Sequence, residues 1–234
     1  MKINEMFEKN TVEAENQTRE KFKVHEVVNP QKRVLFLGNS ITLHETAPHI
    51  GWNFNWGMAA SSEEKDYVHI VLKGLREKYG AVSHCVVNVG EWEKNYFQDG
   101  VMEKFKGARE FSADIVIFRL GENVRRDCFD EYPLTEYMRA FMEYFAESAK
   151  KVVVTDTFWE HSYICSVLRN LAIEKGYELV TICDLGEQDE NKALGLFEHA
   201  GVAGHPGDLG MQRDRKSTRL NSSHVCQSRM PSSA

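Results

Sequence analysis

Apolar residues in this chain gather in short continuous runs, separated by longer stretches of helical spacing. Residues 33–37 (RVLFL) form the first run and end at Gly38; residues 82–89 end at Gly90, and residues 114–120 (DIVIFRL) end at Gly121. Residues 151–158 (KVVVTDTF) and 177–183 follow. Runs of this length with glycine at their ends predict buried strands. Between them, 41–79 reads as largely helical and 91–112 as a loop and a helix. Residues 134–150 read as an amphipathic helix with Leu134, Tyr137, Met138, Phe141, Tyr144 and Phe145 on one side. Residues 162–175 read as a helix stopped by Gly176.

Strands that alternate with helices and are apolar throughout predict a parallel sheet covered on both faces. The expected fold is a three-layer α/β/α domain with a flavodoxin-like parallel five-stranded sheet. Its expected limits are 31–212. Residues 1–30 are charged, with few apolar positions in register, and read as an N-terminal extension. Residues 213–234 are rich in Ser and Arg, resemble translated adapter sequence, and read as a non-native or disordered tail that interrupts a helix.

Composition narrows the partners. Of the 234 residues, 42% are hydrophobic and 11% aromatic, enough for a sizeable core, and the formal net charge is −6. That charge argues against nucleic acid and anionic membrane surfaces as partners. No run approaches the length of a bilayer span, and residues 1–17 lack the apolar core of a signal peptide. The five cysteines form no CxxC pair, which suits free thiols in a reducing, cytoplasmic setting. The histidines outside the late His-Pro block show no metal-ligand spacing, so no metal is expected.

Four short blocks carry candidate chemistry. Gly38-Asn39-Ser40-Ile41-Thr42 follows the first strand, with Ser40 expected at a helix N-terminus. Thr42 excludes the G-x-S-x-G elbow, and the block lacks the glycines and lysine of a phosphate loop. Gly90 closes the second strand, and Asn123 follows Gly121 after the third. His205-Pro206-Gly207-Asp208 lies late in the chain, with Pro206 suited to the first turn of a helix. Taken singly, these are an N-cap, a turn glycine, a loop asparagine and a loop histidine.

Their order along one βα chain resembles the SGNH (GDSL-like) hydrolase family, whose four blocks supply Ser, Gly, Asn and His. The resemblance spans about residues 34–212, with LFLGNSIT and GHPGDLGM its most specific segments. It implies that Ser40 attacks an ester carbonyl and that His205 takes its proton. The N–H groups of Ser40 and Gly90 and the side chain of Asn123 would then hold the oxyanion, with no cofactor. Many members carry an aspartate three residues before the histidine, where this chain has Val202. Glu198 is the nearest upstream acid; Glu122, Glu91 or a backbone carbonyl are the other candidates to orient the ring, and a bare dyad is the remaining one.

Residues 50–60 are rich in aromatics and glycine. Trp52 and Trp56, with Asn39 and Trp92, are expected to bind substrate, and Trp159 is a further candidate for the same mouth. The expected activity is a serine esterase that deacetylates a carbohydrate, acting on a small-molecule or oligosaccharide ester. The alternatives are a lipase-like or thioesterase hydrolase, and a non-catalytic flavodoxin-like module that binds a small ligand.

Overall fold

The computed structural model describes residues 22–217. Six strands form one sheet: β1 (Phe22–His25), β2 (Lys32–Gly38), β3 (Val82–Asn88), β4 (Ile115–Arg119), β5 (Lys151–Thr155) and β6 (Glu178–Val180). Their order is β1-β3-β2-β4-β5-β6. The last five strands are parallel and follow the flavodoxin-like order, as expected. The sheet has six strands rather than five because β1 adds antiparallel to β3, with Phe22 opposite Val87. It falls inside the expected extension over 1–30. A four-residue edge strand with half its side chains exposed carries no continuous apolar run to betray it.

The helices are α1 (Tyr67–Tyr79), α2 (Gly90–Asn95), α3 (Lys106–Glu110), α4 (Leu134–Ala146), α5 (Ser162–Lys175), α6 (Ala200–Ala203) and α7 (Asp208–Ser217). Along β2, Val34 and Phe36 point to one layer, and Leu35 and Leu37 to the other. The first layer receives Val68, Leu72 and Leu75 of α1 and Met211 of α7. The second receives Trp92 of α2, Met138 and Phe141 of α4, and Leu168 and Leu171 of α5. Central strands are thus buried on both faces, which is why they are largely apolar rather than alternating.

Two expectations fail for identifiable reasons. Only Tyr67–Tyr79 of 41–79 is α-helical. The stretch before it is a folded loop with a short 3-10 turn at Pro48–Ile50 and left-handed backbone at Gly51 and Ala59. Pro48, Gly51 and Gly57 break the helical path that its apolar residues suggest. At the other end, a helix runs over Asp208–Ser217, across the boundary expected at 212. Met211 and Asp214, one turn apart, both face inward and are fully buried. Pro206 precedes this helix rather than opening it, and pairs with Lys192 in an isolated bridge. Residues 1–21 and 218–234, including Cys226, lie outside the described residues. No helix among the described residues is long and apolar enough to cross a membrane.

The strand ends meet tightly at Gly38. A Cβ there would strike the Thr42 hydroxyl and lie 2.5 Å from the Arg119 carbonyl oxygen. The backbone atom cannot move aside without breaking the β2–β4 register. Gly38→Ala is expected to destabilise the fold by about 1–3 kcal/mol or more, read as a lower urea midpoint at unchanged slope.

Candidate active site

Ser40 lies in a single tight turn, not at the N-terminus of a long helix. The Asn39 carbonyl accepts from Thr42 N–H (2.9 Å) and Leu43 N–H (3.0 Å), and the chain then leaves as loop. The Ser40 carbonyl is held by Met58 N–H at 2.9 Å. Ser40 therefore caps no α-helix. What lifts Ser40 to the sheet's carboxyl edge is the position of Gly38 between β3 and β4, at the point where strand order reverses.

His205 comes from far along the chain to meet it. The Ser40 Oγ stands 2.7 Å from His205 Nε2. His205 Nδ1 stands 2.6 Å from the Gly201 carbonyl oxygen. A carbonyl can only accept, so Nδ1 carries the ring proton and Nε2 is left as the acceptor for the serine hydroxyl. Burial pushes the His205 pKa down to about 4, with His44 and Arg119 adding to the push and the Gly201 bond opposing it. The ring is therefore neutral at pH 7 and able to take a proton. The edge of Trp159 packs on it at 5.3 Å between ring centres.

The expected acid is not at the ring. Glu198 is exposed and the Gly201 carbonyl occupies the position it would need. Glu91 pairs with Lys104, and Glu122 with Arg119. Val202, three residues before His205, is buried in a small cluster with Trp52 and Met58.

Asn123 lines the cleft beside Ser40 and His205. Its Nδ2 donates to Glu93 Oε2 at 2.9 Å, and Nδ2 carries a second hydrogen. Gly90 contributes space more than a donor. Its N–H is taken by Asn88 Oδ1 at 2.9 Å, whereas a Cβ at Gly90 would stand 3.0 Å from that oxygen and 3.7 Å from Asn123 Nδ2. The N–H of Ser40 donates to no group among the described residues.

The expected substrate-binding residues are mostly elsewhere. Trp52 is fully buried, donates its indole N–H to the His44 carbonyl (3.3 Å), and packs among Phe54, Trp56 and Phe197. Trp92 is buried in the opposite layer with its ring 3.9 Å from that of Phe141. Trp56 is half-buried, bonds the Ala60 carbonyl, and borders a separate cavity near β1. Asn39 is fully buried, its amide shared between Glu122 (2.6 Å) and Glu93 (3.2 Å). Each of these large or amide side chains finds its partners within the protein, which outweighs keeping it free at the mouth. The cleft itself has a volume of about 710 Å³ and is lined instead by His44, Asn88, Lys94, Asn95 and Met58 around the dyad.

Beneath it lies a charged cluster that sequence reasoning missed. Arg119 is fully buried; its Nε donates to Asp214 Oδ2 at 2.9 Å and its Nη1 to Glu122 Oε1 at 2.8 Å. Glu122 also accepts from Phe158 N–H (2.9 Å). Burial acts to raise the Glu122 carboxyl, but Arg119 and these bonds leave it below the ordinary range. Glu93 is raised by burial and by Glu122, and Asp214 is raised by burial. The one signal for this cluster was Arg119 itself, a charge inside the apolar run of β4. No group of side chains suited to hold a metal ion occurs among the described residues.

No family model matches the chain, and no curated protein matches it by sequence. Solved structures do share its architecture. LAE5, an alpha/beta hydrolase enzyme from the metagenome of Lake Arreo, Spain, is 15% identical with a TM-score of 0.54, covering 81% of this chain and 94% of its own. Axe2, an acetylxylan esterase from Geobacillus stearothermophilus, is 15% identical with a TM-score of 0.48, covering 81% of this chain and 93% of its own. At this identity the likeness to LAE5 is one of fold, and the overlay on Axe2 is too loose to add to it.

The geometry makes the histidine's titration diagnostic. An NMR titration is expected to show the His205 ring with a midpoint near 4, neutral above it and charged below. A midpoint in the ordinary histidine range would mean that the ring is solvated rather than packed against Trp159.

Proposed function

We propose that this chain is a serine esterase of the SGNH type that removes a small acyl group, acetyl above all, from a carbohydrate. The observation that carries this reading is the hydrogen-bonded chain Ser40 Oγ, His205 Nε2, His205 Nδ1, Gly201 carbonyl. It places a weak nucleophile on an acceptor whose tautomer is already fixed.

The steps follow from that chain. As Ser40 Oγ attacks the ester carbon, its proton passes to Nε2 and the carbonyl electron pair moves onto oxygen. Asn123 and the Ser40 N–H then donate to the oxyanion. The tetrahedral intermediate collapses, the C–O bond to the alcohol breaks, and Nε2–H protonates the leaving oxygen. Water repeats the sequence on the acyl-serine and releases the acid. The imidazolium formed on the way has no carboxylate at Nδ1. The negative charge of Glu122 favours it from a distance, and burial opposes it.

The lining supports the proposed substrate class. Asn88, Asn95 and Asn123 present amides suited to hydroxyl-rich alcohols, and Lys94 is a further donor at the mouth. Ile50, Met58 and Val202 form the apolar part, too short a list for a long acyl chain. Ester hydrolysis by this route takes no metal or organic cofactor.

The test is hydrolysis of p-nitrophenyl acetate. Ser40→Ala and His205→Ala are each expected to lose at least about 10³-fold in kcat; a Ser40→Ala protein that matches the wild type would leave the fold as a binding module. Across p-nitrophenyl esters of rising chain length, kcat/KM is expected to be highest for acetate. A maximum at octanoate would favour the lipase-like alternative. Because only the neutral ring accepts the serine proton, kcat/KM is expected to hold from neutral pH downward and to fall as pH drops through about 4.

A further inference from the structure

Glu93 lies on α2, one turn after Gly90, with its carboxyl fully buried beneath the cleft. Three N–H donors from two strand-end loops converge on it. Oε2 accepts from Asn123 Nδ2 (2.9 Å), and Oε1 from Gly121 N–H (2.5 Å) and Asn39 Nδ2 (3.2 Å). The loop after β2 carries Asn39 and Ser40, and the loop after β4 carries Gly121 and Asn123. One buried carboxyl therefore ties the nucleophile's turn to the asparagine's loop. Glu122 takes the Asn39 amide at 2.6 Å, so Asn39 bridges the two acids.

The amide of an asparagine is planar, and its two N–H bonds have fixed relative directions. Holding one on a buried acceptor aims the other. Asn123 borders the cleft together with Ser40 and His205, and its second N–H donates to no group among the described residues. Gly90 lies beside this pair: a Cβ there would stand 3.7 Å from Asn123 Nδ2 and 3.8 Å from Glu93 Oε2.

We propose that Glu93 is the positioning residue of the oxyanion site, aiming the free N–H of Asn123 at the oxygen of the tetrahedral intermediate. It touches no substrate and acts on the reacting atoms through Asn123, with its bonds to Gly121 and Asn39 fixing the loops on either side. The proposal rests on the esterase reading above and assigns a role to a residue that the four sequence blocks leave out.

A double-mutant cycle tests it. Glu93→Gln keeps the size of the side chain but turns one acceptor oxygen into a donor, so Gly121 N–H and Asn123 Nδ2 no longer both find an acceptor. With p-nitrophenyl acetate, Glu93→Gln is expected to lower kcat by about 10²-fold while KM changes by less than about 2-fold. In an Asn123→Ala background the same substitution is expected to have little further effect on kcat, because the group it positions is already gone. An equal loss in both backgrounds, or none in either, would overturn the proposal; thermal melting confirms that the variants are folded. A second readout does not need turnover. The side-chain amide signals of Asn123 in a ¹H–¹⁵N spectrum are expected to move in Glu93→Gln, and unmoved signals would overturn it as well. Hydrolysis that does not depend on Ser40 would instead defeat the esterase reading, while the amide signals still report whether Glu93 holds Asn123.

Discussion

A carbonyl oxygen accepts hydrogen bonds and never donates them, and the site depends on that one-sidedness. Because Gly201 offers its carbonyl to Nδ1, the ring proton of His205 has one place to be. Nε2 is then free to accept from Ser40. A carboxylate would fix the same tautomer and add a charge to stabilise the imidazolium. The carbonyl fixes it at lower electrostatic cost in a half-buried setting, and it comes with the backbone of α6, whatever side chain stands at 202. This is why Val202 can be an apolar anchor, packed with Trp52 and Met58.

That anchor connects the tryptophan segment to the dyad in a way different from substrate contact. Trp52 packs the loop after Ser40 against Phe197 and the cluster around Val202, and so presses the His205 segment onto the Ser40 loop. Met58 N–H bonds the Ser40 carbonyl from the same loop. Ser40 and His205 are far apart in sequence, and their approach is held by this small apolar cluster and not by a shared element.

Below the cleft, the arrangement reverses the usual rule that charges stay outside. Arg119, Glu122, Glu93 and Asp214 are buried together, and each carboxyl has at least one N–H donor. Removing a single member would strand the others, so the cluster is a stronger constraint on the loop positions than its net stability suggests. Two atoms in it, Arg119 Nη2 and Asp214 Oδ1, have no partner among the described residues. The loops after β2 and β4 are held in place by this network, and these are the loops that carry Ser40 and Asn123.

Much of the layout is legible in local pattern. The five parallel strands come from short apolar runs, three of them ended by glycine at Gly38, Gly90 and Gly121. Helix Ser162–Lys175 matches its expected limits, and α4 presents Leu134, Met138, Phe141 and Phe145 inward as its spacing demands. Ser40 and Asn123 could be named because they follow strand ends, and His205 because of the late His-Pro block that completes the resemblance. Strand β1 was hidden because an exposed edge needs no apolar run, and the 41–66 loop because apolar residues that pack on one another mimic a helical face. Trp52, Trp92 and Glu93 were misjudged or missed because burial direction is not written in spacing. Local sequence, then, determined which segments are strands and where reactive groups can stand, since backbone geometry and hydrophobic periodicity act over a few residues. Only the tertiary structure decided that Nε2 of His205 meets Ser40, which carboxyl holds Asn123 and which tryptophans are buried, because those outcomes depend on contacts between residues brought together by the fold across dozens to more than a hundred positions.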